Sequence, residues 1–109
     1  MPRKEPIRLK LFGEENKDTA NSYYTLGITQ HSLGNFNAAL DSNQHALNIR
    51  LKLFGKEDKD TANSYYSLGI TQHSLGDLNA ALDSNQHALN IRVKLFGEEN
   101  KDTAISALA

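Results

Sequence analysis

Residues 9–50 read LKLFGEENKDTANSYYTLGITQHSLGNFNAALDSNQHALNIR, and residues 51–92 read LKLFGKEDKDTANSYYSLGITQHSLGDLNAALDSNQHALNIR. The blocks agree at 37 of 42 positions, so one unit is written twice. A period of roughly 20–50 residues marks stacked repeats rather than a globule with one closed core. The pattern also runs on at both ends. Residues 93–104 (VKLFGEENKDTA) begin a third block, and Ile7-Arg8 repeats Ile49-Arg50. The expected organisation is a single unit over residues 1–109. It has a partial second helix at 5–12, repeats at 9–50 and 51–92, and a partial repeat at 93–109.

Four of the five differences conserve chemistry. Asn16/Asp58 and Asn35/Asp77 keep a side-chain oxygen, Thr25/Ser67 keeps a hydroxyl, and Phe36/Leu78 keeps apolar bulk. Glu14/Lys56 reverses charge, which marks a solvated position. Recent duplication and deliberate idealisation both produce such near-identity, and both readings stay open.

Each copy holds two segments with helical spacing and no proline. In the first, Tyr23, Leu26, Gln30 and Leu33 recur at spacings of three or four and form one stripe. Asp18 suits the N-cap, and Gly34 suits the left-handed residue that ends a helix. Asn35, or Asp77 in the next copy, then caps the second segment. That segment aligns Phe36, Ala39, Leu40, Ala46, Leu47, Leu51 and Phe54 on its apolar side. Gly55 ends it, and 56–59 (KEDK) forms a charged connection. Gly27 sits mid-helix, where glycine costs about 1 kcal/mol relative to alanine, so its return as Gly69 asks for a packing reason. One helical hairpin cannot bury its own apolar faces. Stacked copies can, and the fold class expected is an all-α solenoid of antiparallel helix hairpins.

The run Tyr23-x-x-Leu26-Gly27, then Gly34-x-Phe36-x-x-Ala39, then Ala46-Leu47 resembles the tetratricopeptide repeat. The 42-residue period resembles that family's longer, kinesin-light-chain-like branch, whose second helix is extended. Here the extension is 49–55, leading through Asp60-Thr61-Ala62 into the next first helix. The resemblance implies a right-handed superhelix whose first helices line a concave face that holds peptides. On the matching helices that face carries Asn21, Tyr24, Ile28, His31 and Ser32, then Asn63, Tyr66, Ile70, His73 and Ser74. Tyrosine offers a large amphipathic contact, and amides pair with extended backbone, so a peptide or protein segment is the expected partner. The face has no Lys or Arg of its own, so the carboxylate clamp of some relatives is not expected. Two departures from the family pattern stand out. Gln30 and Gln72 replace a common tyrosine, and Asn43 and Asn85 replace an aromatic. These four are expected to form a buried or half-buried amide set with its bonds made, because each lost bond costs about 1–3 kcal/mol.

Composition narrows the function further. Twelve Lys+Arg against thirteen Asp+Glu leave a net charge of −1, without the basic stripe of a nucleic-acid binder. There is no cysteine, hence no disulfide and no thiolate site. No apolar run reaches the ~18 residues of a membrane span, and 1–10 lacks the apolar middle of a signal peptide. A soluble, cytoplasmic protein without membrane contact is expected. His31, His45, His73 and His87 occur once per helix with no second histidine three or four residues away. No Ser/His/Asp set, His-Glu-x-x-His or phosphate-binding glycine loop is present. The charged stretches 14–18, 56–60 and 98–102 lack the ligand pattern of a calcium loop. No catalytic, cofactor or metal residue is expected, and the protein is not read as an enzyme. The leading function is a protein–protein interaction scaffold. The alternative is a structural or engineered repeat module that self-associates through its ends as a homo-oligomer, without a dedicated ligand.

Overall fold

Four α-helices and no strand occupy residues 16–97, which are the residues the computed structural model describes. They are α1 (Lys17–Ser32), α2 (Phe36–Phe54), α3 (Lys59–Ser74) and α4 (Leu78–Phe96). The partial helix expected at 5–12, and the partial third repeat after Gly97, lie outside the described residues. The pairs α1–α2 and α3–α4 form two hairpins, α2 packs on α3, and α1 touches α3 at a few points. Within a hairpin the start of α1 meets the end of α2, and the end of α1 meets the start of α2, so the helices are antiparallel. Among the described residues the chain is an all-α helical repeat solenoid, as the 42-residue period requires.

Local chemistry sets the helix ends. Asn16, not Asp18, is the N-cap of α1: its Oδ1 accepts from the Asp18 amide at 2.6 Å. Asp18 lies in the first turn instead, where its carboxylate faces the positive end of the helix dipole. In the second copy Asp58 caps α3 and accepts from the amides of Asp60 and Thr61 at 2.8 and 3.1 Å. The Asn16/Asp58 difference therefore preserves a capping oxygen. After α1 the chain turns at Gly34, with φ of 85°. Gly34 N–H donates to His31 O and Asn35 N–H to Gln30 O, and Gly76 and Asp77 repeat both bonds. This 5→2 and 6→1 pair is the Schellman motif, and it requires a residue that tolerates positive φ. Asn35 stands at the N-cap of α2 without a side-chain cap bond, whereas Asp77 caps α4 through the Ala80 amide at 3.4 Å. Thr61 Oγ1 donates to Gly55 O at 2.9 Å and fastens the end of α2 to the start of α3.

The core is built from small side chains. Ala20, Ala39, Ala46, Ala62, Ala81 and Ala88 are buried, joined by Leu47, Ile49, Leu68 and Ile91. The largest side chains excluded from solvent are polar: Asn43, Thr61, Thr71 and Ser64. Gly27 has its packing reason. A Cβ built there would fall on Asn43 Oδ1, and one built on Gly69 would fall on Asn85 Oδ1. The second helix of each hairpin, α2 or α4, thus lays an asparagine amide directly across the backbone of the first, α1 or α3.

Two expectations about the core need correcting. Leu33, read as part of the buried stripe of α1, is 71% exposed because it occupies the C-cap, where the chain has already left the helix. Leu26 is also exposed, while its copy Leu68 is buried, since α2 covers α3 and no described helix covers α1 from that side. Three of the four amides are buried or half-buried and bonded, although Asn43 Oδ1 is buried without a hydrogen-bond partner. Ser42 Oγ–H donates to Gln30 Oε1, and Ser84 Oγ–H to Gln72 Oε1, both at 2.6 Å. Asn43 Nδ2 donates to Thr71 Oγ1 at 2.8 Å and to Ser67 O at 3.4 Å. Asn85 is exposed instead, because no described helix follows α4 to cover it.

Candidate functional site

The ten residues expected on the first-helix face all reach solvent. Tyr24, His31 and Asn63 are half-buried, and Asn21, Ile28, Ser32, Tyr66, Ile70, His73 and Ser74 are exposed. They belong to α1 and α3, whose faces are joined by a bond between His31 Nε2 and Ser74 Oγ at 2.8 Å. The His31 ring also leans on Phe36, with centroids 5.0 Å apart. Two isoleucines and two tyrosines thus share a strip with amides, hydroxyls and imidazoles. This mixture gives a ligand apolar contact and backbone hydrogen bonds from the same surface.

A cation reaches this face from the other helix of each hairpin. Arg50 stands near the end of α2 and runs back across the start of α1. Its Nη2 donates to Asn21 Oδ1 at 2.9 Å, and its guanidinium carbon lies 4.4 Å from the Tyr24 ring centroid. On the other side Nη1 donates to Asp60 O at 3.1 Å and to Ser64 Oγ at 2.9 Å. Arg50 therefore ties α1, α2 and α3 together while 4% exposed. Burial pushes its guanidinium below the ordinary value, and the electrostatic interactions with Asp60, Tyr24 and Asp58 act against that. Arg92 repeats the arrangement more loosely, with Nη2 donating to Asn63 Oδ1 at 3.1 Å and the guanidinium 5.1 Å from the Tyr66 centroid. The face carries no Lys or Arg of its own, yet an arginine from the second helix underlies each tyrosine. Sequence reasoning missed both arginines. The available signal was the shared 29-residue separation of Asn21 from Arg50 and of Asn63 from Arg92, which joins the two ends of an antiparallel hairpin.

The remaining histidines lie elsewhere. His45 stacks on Tyr23 and His87 on Tyr65, both with centroids 4.7 Å apart. Each is also 3.7 Å from an exposed carboxylate four residues earlier, Asp41 or Asp83. Among the described residues no carboxylate orients the imidazole of the His31–Ser74 pair, which a nucleophilic triad requires. Among the described residues no group of three His, Asp or Glu side chains is placed to hold a metal ion. No described helix is long and apolar enough to cross a membrane.

A family model described as tetratricopeptide repeat matches residues 6–52 and again residues 43–94. No curated protein matches this chain.

Proposed function

This chain belongs to the tetratricopeptide repeat family, and from that premise we propose that it is a non-enzymatic scaffold that binds a peptide or protein segment along α1 and α3. Repeats of this family mediate protein–protein interaction. The observation that carries the finer reading is the solvent-facing strip running from Asn21, Tyr24 and Ile28 through the His31–Ser74 bond to Tyr66 and Ile70. Arg50 and Arg92 hold the amides and tyrosines of that strip in place, so little side-chain freedom remains to be lost on binding. The 42-residue period supports placing the chain in the longer, kinesin-light-chain-like branch. The near-identity of the copies supports recent duplication or idealisation, and the balanced charge supports a cytoplasmic setting.

The test is a screen of extended peptides, with affinities of the hits measured by fluorescence anisotropy. Replacing Ile28 and Ile70 together by lysine should weaken a genuine groove ligand by about tenfold or more, since both side chains are exposed and central to the strip. Peptides that bind equally well to that double variant would place the binding surface elsewhere.

A further inference from the structure

The α2–α3 junction is the one place where a second helix of one repeat meets the first helix of the next among the described residues. From α3 it covers Ser64, Ser67, Leu68 and Thr71, and from α2 it covers Asn43, Leu47 and Arg50, all of them buried. The copies of these residues stand open at the two ends of the described solenoid. On α1 the counterparts Ser22, Thr25, Leu26 and Thr29 are exposed and line a shallow groove. On α4 the counterparts Asn85 and Leu89 are exposed and Arg92 is half-buried. The leucines measure the contrast. Leu68 is 4% exposed against 45% for Leu26, and Leu47 is 3% against 48% for Leu89. The polar groups agree. Asn43 donates to Thr71 and Arg50 Nη1 to Ser64 and Asp60, whereas Asn85 and Arg92 Nη1 have no such acceptor among the described residues.

We infer that the open face of α4 docks on the open face of α1 of a second copy of this chain, rebuilding the α2–α3 junction between molecules. The occupant is specified by the residues themselves: each open face is the sequence copy of one half of a junction that already forms. Thr25 in place of Ser67 is the single difference across it, and the hydroxyl is kept. In this contact Asn85 donates to the Thr29 hydroxyl of the second copy. Arg92 Nη1 donates to that copy's Ser22 hydroxyl and Asp18 carbonyl. The two faces are different surfaces, so the contact is head to tail and leaves a free face at each end for the next molecule. It does not use the peptide-binding strip, and it stands or falls independently of that reading.

Sedimentation velocity of the full chain from micromolar to millimolar concentration tests this. The boundary should move faster as concentration rises, without a plateau at the dimer. Leu26→Lys blocks the α1 face and Leu89→Lys blocks the α4 face, and each alone should weaken association by roughly tenfold or more. An equimolar mixture of the two variants restores one intact junction and should give a heterodimer that grows no further. Circular dichroism checks that both variants fold, with Thr29→Lys as the second α1 variant should Leu26→Lys not fold. A wild-type chain that stays monomeric throughout, as when residues 1–15 or 98–109 or another protein occupy these faces, overturns the inference. Association that persists in either variant, or a mixture that stays monomeric, overturns it as well.

Discussion

Asn43 and Asn85 sit at the same place in identical stretches of helix, yet their surroundings have little in common. Asn43 is 1% exposed and bonded across to α3, whereas Asn85 stands in solvent. Arg50 and Arg92 differ in the same way: one is buried with three hydrogen-bond acceptors on two helices, the other is half-buried with one. The residues from Asn37 to Arg50 are repeated without change from Asn79 to Arg92, so nothing local separates the two regions. Only the neighbour does. An interior junction in this solenoid is therefore a polar structure, assembled from an asparagine, an arginine and a row of hydroxyls, and its worth depends on a helix being present on the far side. Such groups contribute when satisfied and are costly when buried alone. Asn43 Oδ1 and Arg50 Nε are in fact buried without a hydrogen-bond partner. The oxygen lies where a Cβ on Gly27 would stand, so the glycine is what leaves room for it.

The sharpest way to break this contrast is to remove the two arginines in turn. Arg50→Ala takes the shared donor from Asn21, Ser64 and Asp60, and it should lower unfolding stability by about 3 kcal/mol. Arg92→Ala loses one half-exposed bond and should cost under about 1 kcal/mol. Urea unfolding at concentrations where the chain is monomeric measures both, and equal losses would remove the distinction between junction and end.

Smaller, but more diagnostic, is a difference between the two glycines. Gly27→Ala drives a methyl into an amide that α3 holds in place, so it should destabilise by about 1–3 kcal/mol. Asn85 is free to swing away from the same methyl. Gly69→Ala should then fall within about 1 kcal/mol of neutral, or gain through helix propensity. Adding Asn43→Ala to Gly27→Ala should restore part of the loss, because the two changes share one contact. If both glycine variants lose the same stability, the locked amide is not what makes Gly27 necessary.

The smallest effect lies at alkaline pH, in the second hairpin. Burial raises the Tyr65 phenol above the ordinary tyrosine range, and the negative charge of Asp83 adds to the shift. A folded value above the unfolded one means this contribution is intact below the unfolded pKa, near 10, and is lost as pH rises through the folded value. Absorbance titration should show one phenol ionising late, and Asp83→Asn should bring it part of the way back. A late phenol that Asp83→Asn leaves unchanged would assign the shift to burial alone.

Much of this molecule was legible in its residues. Gly34 and Gly55 end the helices where the apolar spacing stops, and Asp77 caps α4 through the short-range chemistry of an exposed amide. The reading of Asp18, rather than Asn16, as the cap of α1 went astray for a physical reason. Both residues carry a suitable oxygen, and the turn that selects between them is a matter of backbone dihedrals. That Asn21, Tyr24, Ile28 and His31 share one side of α1 was legible as well, because residues three and four apart on a helix lie together whatever packs behind them. Its bridge from His31 to Ser74, and the arginines beneath it, were not. Those join positions separated by dozens of residues, and their geometry depends on how one helix crosses another.

The near-perfect repeat sets a sharp limit on what could be read without coordinates. Repeat length, helix positions, turn glycines and the facing of each side chain depend on a few neighbouring residues, and so they recur identically in both copies. Burial obeys a different rule. Leu26 and Leu68, or Asn43 and Asn85, have nearly the same local sequence and opposite exposure, because solvent exclusion is set by the atoms across an interface. Two copies of one sequence cannot encode that difference. It arises when α2 packs against α3, while no other described helix covers the matching faces of α1 and α4.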